Sequence, residues 1–195
     1  MFLLPFLKVK PIKNKGRGVF TLKDIPAGMV AADYLGQLVP ANSINEKKYG
    51  LYDMFWNNSV SIMPNPNLGG AHLINHACIP NCDTTSFKGH TIIFSLRKIF
   101  AGEELTYIYN IDPPSLDRCN PCKHSCFCGS DFCRGTFHIP LKEWELLDSF
   151  LSKKEVEYIK TIPVPLGQKL FLPKLSLTVE GILDGYVVVK SIKRQ

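Results

Sequence analysis

The sequence predicts an α+β fold dominated by β-structure. Short apolar runs bounded by turn residues fill the chain as far as Pro140, and apolar residues recur at helical spacing only beyond it. At 195 residues, with 45% hydrophobic and 21% charged side chains, the chain suits one compact domain with an appendage.

From Lys8 to Pro40 the runs Gly18–Leu22, Ala27–Ala31 and Tyr34–Val39 read as strands and hairpins separated by glycine. Ser43 to Tyr49 carries an N-cap and helix formers and predicts a short helix or turn. Asn57-Asn58 reads as a tight turn between Tyr52–Trp56 and Val60–Met63, after which Pro64 and Pro66 break regular structure. Thr91–Leu96 and Leu105–Tyr109 predict two further strands. After Pro140, Leu141, Trp144, Leu147, Leu151, Val156 and Ile159 predict a helix. Lys169–Val179 and Tyr186–Ile192 then form a hairpin turning at Asp184-Gly185.

No apolar run approaches the roughly 20 residues of a membrane span, and the first seven residues are too short for a secretion signal. The expectation is an intracellular chain, cytoplasmic or nuclear, with no membrane partner. The net charge of +6 is spread out, although Lys8, Lys10, Lys13, Lys15 and Arg17 make a basic stretch without an acid. Such a stretch can attract nucleic acid. A lysine-protected strand edge is the preferred reading, and direct nucleic-acid binding has no other support.

The cysteines carry more chemistry. Five of the seven crowd between Cys119 and Cys133, and the CxC spacing of Cys126 and Cys128 suits thiolates converging on a metal better than disulfides. Cys119-Asn120-Pro121-Cys122 is a CxxC that can hold part of a second metal, with His124 the nearest third ligand, take part in redox chemistry, or stay as free thiols. Free thiols are preferred.

Three blocks occur in fixed order: Asn75-His76-Ala77-Cys78-Ile79-Pro80-Asn81-Cys82, Glu103-Glu104-Leu105-Thr106-Tyr107-Ile108-Tyr109, and Cys126-Phe127-Cys128 continuing to Cys133. Together they resemble the NHSCxPNC, ELxYDY and post-SET CxCxxxxC signatures of SET-domain protein-lysine methyltransferases. The resemblance covers about Lys8 to Pro140. It implies the SET fold, small curved sheets around a pseudoknot, with a SET domain at 8–110, a zinc-binding post-SET segment at 111–140 and an extension of helix and β-hairpin at 141–195.

The same resemblance implies a reaction. S-adenosylmethionine would be held by Lys15, Gly16 and Arg17 in the KGxG-like segment, by Tyr49, Asn75, His76 and Tyr109, and by Phe127 from the flap, where Phe137 also competes for the role. Tyr109 and Tyr107 would be the catalytic pair, and Tyr52 would line the substrate channel. Zinc would be held by Cys82, Cys126, Cys128 and Cys133, stapling the flap over the site. The partner would be a protein presenting an extended peptide with a lysine, a histone tail being the first candidate. A tyrosine at position 107 implies mono- or dimethylation. Four positions depart from the pattern: Ala77 replaces serine, Ile108 replaces aspartate, His72 replaces arginine, and Leu68-Gly69-Gly70 replaces a GN-containing turn. None removes a reacting group. The alternative is a silent, zinc-stapled module that binds chromatin or another protein.

Overall fold

The computed structural model describes residues 3–44, 51–57, 60–87, 90–117, 122–145, 176–183 and 186–193. Small sheets dominate, and the described helices are short. An antiparallel pair comes first, β1 (Leu7–Ile12) against β2 (Gly16–Thr21), in register from Leu7↔Thr21 to Ile12↔Gly16. Its turn needs left-handed backbone, which Asn14 (φ 65°) and Gly16 (φ 75°) supply. Lys8 and Lys10 are exposed on β1, as an edge strand favours, and the Lys10 ammonium lies 5.1 Å over the Phe20 ring.

The core is built on a second sheet ordered β3 (Val30–Asp33), β9 (His90–Ser95), β8 (Cys82–Phe87), all antiparallel. Ile92 and Ile93 on the central strand are fully buried, as are Val19, Ile25, Val30, Ile74, Ile99 and Leu105 around them. The apolar run at 91–96 foretold this strand, because a central strand covered on both faces cannot alternate with polar residues. The third sheet is ordered β4 (Gln37–Pro40), β6 (Val60–Met63), β5 (Met54–Asn57). Gly36 lets β4 approach β6: a Cβ there would lie 2.4 Å from the Met63 carbonyl oxygen.

The tip of the β5–β6 hairpin and the helix expected within 43–49 lie largely outside the described residues, although Ala41–Ser43 forms a 3-10 turn. The strand expected at Leu105–Tyr109 is shorter. Only Thr106–Tyr107 (β10) pairs, parallel to Asn75–His76 (β7), and the chain turns away at Asn110 with φ 51°. A short helix, α1 (Pro114–Asp117), follows. Helical turns begin at 141–145, and most of the predicted helix lies beyond the described residues. β11 (Ser176–Leu183) and β12 (Tyr186–Lys193) pair antiparallel, as the hairpin reading required, and the expected start of the first strand at 169–175 lies outside the described residues. No described helix is long and apolar enough to cross a membrane.

Candidate active site and metal centre

The site is assembled where β7 and β10 run side by side. Thr106 pairs with Asn75 and Tyr107 with His76, and the Ala77 amide donates to the Tyr107 carbonyl at 3.2 Å. Asn81 braces this crossing from below. Its amide donates to the Glu104 carbonyl at 2.7 Å, and its side-chain oxygen accepts the Thr106 amide at 2.9 Å. A buried asparagine satisfied at both ends fixes two segments distant in sequence.

Asn75 reaches the other way. Its Nδ2 donates to the Arg17 carbonyl and to Glu104 Oε1, both at 2.8 Å, while Lys15 Nζ approaches Glu104 Oε2 at 3.4 Å. Lys15 and Asn75 therefore converge on one half-buried carboxylate, while Arg17 joins through its carbonyl and sends its guanidinium to the Pro66 carbonyl at 3.3 Å. Gly18 is required at this crossing, since a Cβ would stand 2.3 Å from Ile12 Cδ1, 2.7 Å from Glu104 Oε1 and 2.9 Å from Asn75 Nδ2.

His76 ties the crossing to Tyr109. The Tyr109 amide donates to His76 Nδ1 at 3.2 Å, so Nδ1 carries no proton and Nε2, 3.4 Å from Cys78 Sγ, is the protonated nitrogen. Burial, helped by the charges of Arg134 and Lys15, lowers the His76 pKa to about 4 and keeps the ring neutral. The Tyr109 hydroxyl donates to the Ile74 carbonyl at 3.0 Å. Tyr107 lies 5.0 Å from Tyr109 between ring centroids, and Phe137 lies 4.9 Å from His76 and 5.5 Å from Tyr109. Burial raises the phenol pKa of Tyr34, Tyr107 and Tyr109 above its ordinary value, so all three stay protonated. The Tyr34 hydroxyl donates to the Tyr52 carbonyl, and Tyr52 packs edge-on against His72 at 5.2 Å.

Four cysteine sulfurs gather beside this wall, and they are not the predicted four. Cys78, Cys126, Cys128 and Cys133 place their sulfurs within 4.8 Å of one another. The Cys78–Cys126 separation of 3.7 Å is close to the edge of a tetrahedral zinc–thiolate site, about 3.8 Å for bonds of about 2.3 Å. Arg134 N–H donates to Cys78 Sγ and Gly135 N–H to Cys133 Sγ, each at 3.4 Å. Burial raises the Cys78 and Cys126 thiols and opposes ionisation of Cys128, but at Cys128 hydrogen bonds with Cys78, Ser130, Cys133 and Cys126 outweigh it and bring its thiol down to about 7. The donor set therefore fits zinc. Cys82 does not belong to it. Pairing with Ser95 at the start of β8 turns its side chain into the core, where it is fully buried and its thiol is pushed up to about 12.

A protein-family model described as SET domain matches residues 16–110. Over residues 16–110 the chain is similar to the SET-domain family. Histone-lysine N-methyltransferase trithorax of Drosophila virilis is 37% identical over 132 residues, 61% of this chain and 3% of that protein. Histone-lysine N-methyltransferase 2B of Homo sapiens is 35% identical over 131 residues, 61% of this chain and 5% of that protein. An H3 lysine-36 specific histone-lysine N-methyltransferase of Mycosarcoma maydis is 30% identical over 136 residues, 64% of this chain and 14% of that protein. The chain spans a small part of the length of these relatives.

Lys15, Arg17, Asn75, His76, Tyr107 and Tyr109 lie around one crossing, and Gly16 shapes the turn leading into it. Tyr52 stands by His72. Phe127 is 65% exposed, whereas Phe137 is the flap aromatic in contact with His76 and Tyr109. Tyr49 lies outside the described residues. Sequence reasoning passed over Cys78, Asn81, Glu104 and Tyr34 as site residues. Asn81 and Glu104 were in plain view inside the motif blocks, but bracing by a backbone carbonyl leaves no sequence signal.

Proposed function

We propose that this SET domain transfers a methyl group from S-adenosylmethionine to a lysine side-chain amine of a protein, a histone tail being the first candidate. The observation that carries the reading is the β7–β10 crossing, which seats Asn75, His76 and Tyr109 together inside the family-matched region. One feature nearby fits a ligand: His72 Nε2 is buried without a hydrogen-bond partner near the Arg17 charge. Lys15, Gly16, Arg17, Asn75, His76, Tyr109, Tyr49 and a flap aromatic, Phe127 or Phe137, would hold the cofactor, whose sulfonium supplies an electrophilic methyl group.

The chain's own task is alignment. The Tyr109 hydroxyl donates its hydrogen bond to the Ile74 carbonyl, which leaves its oxygen lone pairs to accept an N–H from the incoming amine. Tyr52, Tyr107 and Phe137 wall the channel and exclude water. Desolvation and a neighbouring positive charge both favour the neutral amine, so no carboxylate base is assigned. The Tyr107 ring narrows the channel, supporting mono- or dimethylation. The peptide would lie as an added strand; β4 and β5 are the outer strands of their sheet among the described residues.

Cys78, Cys126, Cys128 and Cys133 would bind a structural zinc that holds the 111–140 segment against the 8–110 domain, with 141–195 as an extension. Placement in the nucleus follows from a histone substrate. Incubating the full chain with zinc, labelled S-adenosylmethionine, core histones and a lysine-peptide array tests the reading. Label on lysine is expected; failure of the cofactor to bind in calorimetry overturns it.

A further inference from the structure

We propose that Cys122, His124 and His138 form a second zinc site, separate from the four-cysteine centre. Their ligand atoms lie within 4.8 Å of one another. His138 Nε2 stands 3.2 Å from Cys122 Sγ and 3.1 Å from His124 Nδ1, near the roughly 3.3–3.6 Å edges of a tetrahedral site with nitrogen and sulfur ligands.

The protonation pattern favours a cation. His138 Nδ1 bonds to the Asp112 carbonyl, which can only accept, so Nδ1 carries the proton and the Nε2 lone pair faces Cys122 and His124. A ring N–H fixed on a backbone carbonyl with its other nitrogen free to bind is the usual arrangement behind a metal-ligating histidine. As hydrogen bonds, the Cys122 and His124 contacts compete for a single lone pair. One cation satisfies all three ligands. Both imidazoles are buried, and Cys122 opens to solvent, which gives the metal a route in.

Backbone pairing sets the ligands in place. Phe137 N–H donates to the His124 carbonyl at 2.9 Å, Ser125 bridges Thr136, and His138 bridges Ile111. The site thereby joins the segment leaving Tyr109 to the flap, next to Phe137, which packs on His76 and Tyr109. A mixed nitrogen–sulfur donor set selects zinc over hard cations. Cys119, three residues before Cys122, lies outside the described residues, and the site rests on the three described ligands.

Native mass spectrometry and elemental analysis of the full chain, with zinc as the probe, test this without reference to activity. About two zinc ions per chain are expected, falling to about one in Cys122→Ser and in His138→Gln. Cobalt-substituted Cys122→Ser should keep the sulfur-to-cobalt absorption of the four-thiolate centre, which shows that the flap still folds. One zinc in the wild type, or a count unchanged in both variants, overturns the site.

Discussion

Cys78 and Cys82 are four positions apart and face different surroundings, because β8 begins at Cys82. Cys78 follows the end of β7 toward the flap, while Cys82 enters a sheet and is drawn into the core. Cys78→Ser should therefore lose the four-cysteine metal, measured by zinc release. Cys82→Ser should keep it and lose stability, by about 1–3 kcal/mol for a hydroxyl placed in an apolar core. The motif block announced a metal ligand, but its letters do not say which cysteine faces outward. That choice depends on where pairing with β9 starts, which is a long-range event. Asp33 offers a second test at this scale. It is buried, one oxygen lies 3.0 Å from His90 Nδ1, the other has no hydrogen-bond partner, and burial outweighs the His90 contribution to raise its pKa above 3.8. The folded state thus holds this proton to higher pH than the unfolded state, so its contribution to stability falls as pH rises through the raised pKa. Asp33→Asn should gain on the wild type in thermal melts as pH climbs from acid to neutral. A gap that widens on acidification instead would contradict the assignment.

At the scale of elements, the crossing of β7 and β10 depends on Asn81 more than on the strands themselves, which pair over only two residues each. Asn81→Ala removes the partner of the Thr106 amide and of the Glu104 carbonyl. Each orphaned buried group costs on the order of 1–3 kcal/mol, so urea unfolding should move clearly to lower denaturant. An unchanged midpoint would mean the strands hold themselves. β9 and the β5–β6 hairpin could be read from the sequence because apolar runs and turn residues are local signals. β10 was read too long because Ile108 and Tyr109 continue the apolar pattern, yet Asn110 turns the chain and the Tyr109 amide bonds to His76. Apolar pattern reports burial, and here burial continues past the end of pairing.

For the whole molecule, the fold brings Phe137 and the thiols of Cys126, Cys128 and Cys133 against Cys78, His76 and Tyr109, so that the four gathered sulfurs adjoin the wall of aromatic rings. The order of the three blocks made the family and the neighbourhood of Asn75, His76 and Tyr109 legible in the sequence. It offered Cys122 with His124 as part of a second metal set but not His138, which arrives through pairing of Phe137 with His124 across a gap that no spacing rule spans. The central claim is that Tyr109 aligns a methyl transfer to lysine. Its most direct test compares wild type and Tyr109→Phe for labelled methyl transfer to peptide, with cofactor affinity measured in parallel. Losing the positioned hydroxyl should lower turnover by about a hundredfold or more while cofactor binding persists. Equal turnover in the two proteins would contradict the account.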